Sequence, residues 1–184
     1  MNPVILFDSD DVSVDFMEMW LQEINRLYGC GLKPEQIKNW NLMQYFPDLT
    51  REQVFGVLDD INIWQNLNPI PESQKYLSLL HKEGYELYLV TATPYSQCHH
   101  KCKRLQQLFP FLDDEHIIIS HNKQMIRGDM LIDDSPYNLV YGEYSKILFD
   151  RPHNQKFPND EYDMHRAKGW SDVYRLIHDI FPIK

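Results

Sequence analysis

Val4-Ile5-Leu6-Phe7-Asp8-Ser9-Asp10-Asp11 is a four-residue apolar run that stops on a cluster of acids. A run of this length reads as a buried strand, because a central strand of a covered parallel sheet must be apolar on both faces. Runs of the same kind recur at residues 86–90, 117–119, 130–132 and 146–149. Helical patterns lie between them. Residues 72–83 carry Tyr76, Leu77, Leu79 and Leu80 ahead of Gly84, and residues 94–109 carry Cys98, Cys102, Leu105 and Leu108. Residues 170–181 repeat the pattern with Val173, Leu176, Ile177 and Ile180. Strands alternating with helices predict an α/β fold, a parallel sheet sandwiched by helices.

One stretch breaks the alternation. From Asp11 to Pro71 no strand-like run occurs, residues 12–27 are amphipathic and helical, and Thr50-Arg51-Glu52-Gln53 is a capping box that opens another helix. Three of the four tryptophans (Trp20, Trp40 and Trp64) fall here, with Phe16, Tyr28, Tyr45, Phe46 and Phe55. The expectation is a small α-helical cap, residues 11–71, inserted after the first strand of a core formed by residues 1–10 and 72–184. Such a cap stands over the C-terminal edge of the sheet, where open α/β folds bind their ligands.

Composition narrows what the site can serve. Of the 184 residues, 43% are hydrophobic and 24% charged, which excludes disorder, and the net charge is -9. An acidic surface disfavours duplex nucleic acid and anionic membranes, yet a bound cation can still admit a small anion. The run at Val4 to Phe7 is too short for a signal segment, and nothing approaches the roughly 20 apolar residues of a membrane span. Three cysteines, Cys30, Cys98 and Cys102, are too few for a disulfide framework. A reduced, cytoplasmic protein is expected.

The polar residues sit at strand ends. Asp8 to Asp11 follow the first strand and Asp133-Asp134 follow residues 130–132, so a parallel sheet delivers both clusters to one edge. Crowded carboxylates repel, and an all-oxygen set suits a hard divalent cation such as Mg²⁺. Thr91-Ala92-Thr93-Pro94 closes the strand at 86–90 and offers hydroxyls and amides at a helix start, suited to phosphate. Lys123, eleven residues before Asp134, can neutralise both a phosphoryl group and the aspartate attacking it. Each feature alone reads equally as a solvated turn, an N-cap or a loop lysine. Cys98-His99-His100-Lys101-Cys102 is not a zinc site, since a helix turns the cysteines and histidines to different faces. His153 and Asn154 read as the end of the loop after the fifth strand.

These residues occur in the order of four motifs: Asp8-Ser9-Asp10, Thr91-Ala92-Thr93, Lys123 and Asp133-Asp134. The chain resembles the haloacid dehalogenase superfamily of phosphotransferases, and within it the 5′(3′)-deoxyribonucleotidases. Asp15-Phe16, Ile63-Trp64 before Pro69-Ile70-Pro71, Leu131-Ile132, Ile147-Leu148-Phe149-Asp150 and Gly169-Trp170 extend the resemblance over nearly the whole length. It departs at Asp11, where the family usually has glycine, and at Ala92, which interrupts the usual hydroxyl pair and leaves Thr91 and Thr93 as alternative phosphate ligands.

The resemblance implies a Mg²⁺-dependent phosphomonoesterase acting on (deoxy)nucleoside monophosphates. Asp8 is then the nucleophile and Asp10 the general acid and base. The metal lies on Asp8, the Asp10 backbone carbonyl and Asp134, with Asp133 behind them. Phe16 and Trp64 line the nucleoside pocket, Trp40 is a further candidate for it, and Trp20 is expected in the cap core. The implied partner is a small nucleotide, with neither polymeric nucleic acid nor membrane, and a homodimer is compatible with it. A phosphatase for sugar phosphates is the alternative. A two-component receiver domain uses the same residue types but lacks an insertion of about sixty residues after its first acidic turn.

Overall fold

The computed structural model describes residues 2–182. Six parallel strands form one sheet in the order β3-β2-β1-β4-β5-β6. They are β1 (Val4–Phe7), β2 (Glu86–Thr91), β3 (Ile117–Ile119), β4 (Met130–Asp133), β5 (Ser145–Phe149) and β6 (Met164–Ala167). From β1 the chain steps outward through β2 to β3 and then returns to β4 on the other side of β1, so the switch point lies between β1 and β4, at the edge where Asp8 and Asp133 emerge. The central strands are apolar on both faces, with Ile5, Leu6, Phe7, Leu131 and Ile132 all at 1% exposure or less.

β6 is absent from the sequence expectation. Its four residues read Met-His-Arg-Ala, and only Met164 and Ala167 are buried. An edge strand has no neighbour on its far side and needs no continuous apolar run. Arg166 is held by Asp150 at 2.6 Å and by Asn154, so the strand is anchored by polar contacts that hydropathy cannot reveal.

Between β1 and β2 the chain builds α1 (Phe16–Tyr28), α2 (Arg51–Gly56), α3 (Ile61–Gln65) and α4 (Ser73–Lys82), joined by short 3-10 turns. The segment leaves and rejoins the core at one place. Asp15 donates to the Asn68 carbonyl, Ile70 donates to the Ser13 carbonyl, and Val14 bridges both Asp10 and Pro69. The expected helix from residue 12 begins only at Phe16, because Asp15 caps it and Val12 to Val14 are committed to that junction. The Thr50 capping box forms as read. The core is completed by α5 (Cys98–Leu108), α6 (Pro136–Leu139) and α7 (Trp170–Ile180). The Trp170 indole donates to the Val12 carbonyl and pins α7 to the root of the inserted segment.

α5 is turned from its expected face. Its buried residues are Lys101, Leu105 and Leu108, while Cys98 and Cys102 are partly exposed. A lysine on the inward stripe breaks the apolar period, and it is tolerated only because a carboxylate waits for it inside.

Candidate active site

Asp8 continues the β1 ladder, its N–H donating to the Ile132 carbonyl at 2.9 Å, and this fixes its carboxylate at the switch point. Lys123, in the turn after β3, reaches Asp8 Oδ1 at 2.6 Å and Asp133 Oδ2 at 2.7 Å. The Asp133 carboxylate also accepts from the Ser135 N–H and the Asn138 amide. Asp134 is 2.7 Å from His153 Nε2, and its carbonyl accepts from the Asn154 amide.

Burial is the largest influence on Asp8, Asp134, Asp11, Lys123 and His153. It raises Asp8 well above the usual carboxylate range, against the pull of Lys123, and neighbouring carboxylates add to the rise. It raises Asp134 in the same way, with Asp133 next in effect. Burial lifts Asp11 to about 7 and Asp134 adds to it. Lys123 is disfavoured as a cation by burial, yet Asp133 and Asp8 more than reverse this and raise it above its ordinary value. Burial pushes His153 down to about 4, so the imidazole is neutral at physiological pH. Around Lys123 the structure sets three buried carboxylates, Asp8, Asp133 and Asp134, against one ammonium.

That imbalance is the fit test for a metal. Ligand atoms of Asp8, Asp133 and Asp134 lie within 4.8 Å of one another, and all are oxygen, which matches a hard divalent cation. Among the described residues no second group of three metal-binding side chains forms. The Asp10 carboxylate stands outside the group and is bound instead by Lys101 and Ser9.

A cavity of about 300 Å³ opens from these acids. Its lining combines Asp8, Asp10, Asp134 and Lys123 with an apolar wall of Phe16, Trp20, Trp40, Leu42, Phe55 and Leu58. Phe16 and Trp40 are part of its wall, with Trp40 41% exposed and its ring 4.2 Å from that of His153. Trp64 does not line it. It is 1% exposed, stacks behind Phe16 at 5.4 Å and donates to the Leu58 carbonyl, so neither ring face is open to a base. Trp20, expected in the core, is both buried and part of the cavity wall.

Neither threonine lines the cavity, whereas Ala92 between them does. The Thr91 hydroxyl is engaged by Ser9 and Lys101, and that of Thr93 is buried with no hydrogen-bond partner among the described residues. Sequence reasoning missed Lys101 and the roles of His153 and Asn138. For Lys101 a signal existed: it shares a helical face with Leu105 and Leu108.

The fold is that of a haloacid dehalogenase-like hydrolase. One such hydrolase from Streptococcus pneumoniae superposes with a TM-score of 0.64 at 15% identity, over 96% of this chain and 98% of that one. Fold, site and sequence relatives together define a phosphoric monoester hydrolase. The chain belongs to the family described as 5′ nucleotidase, deoxy (pyrimidine), cytosolic type C protein, whose model matches residues 2–181. A 5′(3′)-deoxyribonucleotidase of Clostridium acetobutylicum is 30% identical over 179 residues, covering 97% of each chain. Another, of Bacillus subtilis, is 34% identical over 179 residues, covering 96% of this chain and 99% of its own.

Proposed function

We propose that the protein hydrolyses (deoxy)nucleoside monophosphates with Mg²⁺ through an aspartyl-phosphate on Asp8. The observation that carries this reading is the position of Asp8. Its buried carboxylate meets Lys123 at 2.6 Å and lines a cavity whose wall is largely aromatic and apolar. Such a wall suits a nucleobase, since every base has a face that stacks.

Asp8 attacks phosphorus, and the bond from phosphorus to the leaving ribose oxygen breaks. Lys123 offsets charge on the nucleophile and on the incoming phosphoryl oxygens. Asp10 protonates the leaving oxygen, then takes a proton from the water that hydrolyses the aspartyl-phosphate. Asp8, Asp134 and the Asp10 backbone carbonyl, with Asp133 behind them, are the groups that would hold Mg²⁺. When bound, the ion supplies positive charge for the transferring phosphoryl group. The Thr91–Ala92–Thr93 turn adds phosphate contacts, with Ala92 the member that borders the cavity. Phe16 and Trp40 flank the nucleoside, and residues 11–71 act as the cap that encloses it.

In this reading the protein is a cytoplasmic enzyme of nucleotide metabolism whose partner is a small molecule. No helix among the described residues is long and apolar enough to cross a membrane. A phosphate-release screen with Mg²⁺ over nucleoside monophosphates and sugar phosphates tests it. Nucleotides should be preferred, and Asp8→Asn should lose at least a thousandfold in kcat, or about 4 kcal/mol of barrier. Sugar phosphates turned over as well as nucleotides would return the aromatic wall to a packing role. An active Asp8→Asn variant would remove the nucleophile.

A further inference from the structure

We infer that Lys101 is the positioning residue for Asp10, acting through a closed ring of hydrogen bonds; this rests on the assignment of Asp10 as general acid and base. Lys101 Nζ donates to Asp10 Oδ2 at 2.7 Å and to Thr91 Oγ1 at 2.8 Å. Ser9 Oγ donates to Asp10 Oδ1 at 2.9 Å and lies 2.7 Å from Thr91 Oγ1. A hydroxyl has one proton. Ser9 gives its proton to Asp10, so Thr91 must give its own to Ser9, and Lys101 supplies the donor that Thr91 accepts. Every donor in the ring then points toward Asp10, and both carboxylate oxygens are held.

Among the described residues Lys101 has no other ionised partner, and it is fully buried, whereas the Asp10 side chain is 25% exposed and borders the cavity. A buried ammonium is costly unless paired, so the lysine and the aspartate hold each other in place. The Trp64 ring lies 5.2 Å from Lys101 Nζ and closes off the remaining side. This accounts for a tryptophan that the cavity does not use: α3, which bears it, supports the lysine of α5.

The ring contacts both carboxylate oxygens of Asp10 and so fixes the plane and direction of the group that must meet the attacking water. The consequence falls on the second chemical step. Formation of phospho-enzyme from p-nitrophenyl phosphate needs little acid help, while its hydrolysis needs a held base.

The test is rapid-quench and stopped-flow kinetics on the Mg²⁺-loaded enzyme with p-nitrophenyl phosphate. Lys101→Met should give a burst approaching one nitrophenolate per active site, then a steady-state rate reduced roughly a hundredfold. Lys101→Ala should recover part of that rate with added ethylammonium, which a general packing defect would not. Lys101→Arg, which keeps the cation, should retain more of the hydrolysis step than Lys101→Met, whatever either does to Tm. Burst and steady state falling together, or no amine rescue, overturns the inference. Asp10→Asn separates the two levels. If it accumulates phospho-enzyme while Lys101→Met behaves as wild type, only the role of Lys101 fails. If Asp10→Asn itself turns over normally, the assignment of Asp10 fails.

Discussion

Asp11→Asn should stabilise the metal-free protein, and the gain should grow with pH. Asp11 is 6% exposed, and its backbone sits at φ 56°, in the left-handed region that asparagine adopts as readily as aspartate. Its carboxylate accepts the Met17 N–H at 3.0 Å, which an amide oxygen can also do, and Arg151 donates to its backbone carbonyl, which the substitution leaves in place. What the change removes is an ionisable group that burial, aided by Asp134, lifts from 3.8 to about 7. The folded protein thus binds the Asp11 proton more tightly than the unfolded chain. Between about pH 4 and 7 it holds more protons, so the Asp11 contribution to stability falls as pH rises through that window and stays low above it.

The ceiling on that loss is on the order of 4 kcal/mol. Relaxation around the ionised group should leave about half, or roughly 2 kcal/mol, and thus a Tm gain of about 4–8 °C for a chain of this size. The assay is thermal denaturation of both proteins in EDTA from pH 4.5 to pH 8. Groups common to the two cancel in the difference, which should be small at the acid end and reach its plateau above about pH 7. A difference that is flat across the range would show that Asp11 ionises freely in the fold, and the crowding argument for the acidic edge would lose one of its members.

Three further outcomes follow from the geometry. Trp40→Ala should lower kcat/KM for a nucleotide ten- to a hundredfold, the roughly 1–3 kcal/mol of one stacked base, while p-nitrophenyl phosphate changes by less than about twofold; equal losses would remove Trp40 from the nucleoside pocket. Trp64→Ala should destabilise the fold by about 3–5 kcal/mol in denaturant titration and depress both substrates alike, because it opens a hole in the packing between α3 and α5; a loss confined to nucleotides would contradict its burial. Chelation should abolish turnover and Mg²⁺ restore it, with a Mg²⁺-induced rise in Tm that is larger at pH 8 than at pH 5, since protons compete for Asp8 and Asp134; an activity indifferent to chelators would refute the metal reading.

Chain-local features were legible without coordinates. β1, β3 and most of β2, β4 and β5 announced themselves as short apolar runs, because a strand covered on both faces has no polar position to spare. Asp8 and Asp133-Asp134 followed from those strands, since a parallel sheet carries every strand end to the same edge. Lys123 came from motif order, the aromatic insertion from the absence of any strand-like run between Asp11 and Pro71, and the Thr50 cap from spacing alone.

What the tertiary structure decided concerns partners distant in sequence. Lys101 and Asp10 are 91 residues apart, His153 and Asp134 are 19 apart, and no local period relates either pair. Trp64 and Trp40 look alike in sequence, both aromatic within the inserted segment. The fold buries one beneath Lys101 and leaves the other at the cavity wall. The sequence by itself determined which residue types reach the catalytic edge. Which rings face the cavity, and which cation holds Asp10, depended on how α3 and α5 pack, because side-chain direction on a helix is settled by the surface it meets.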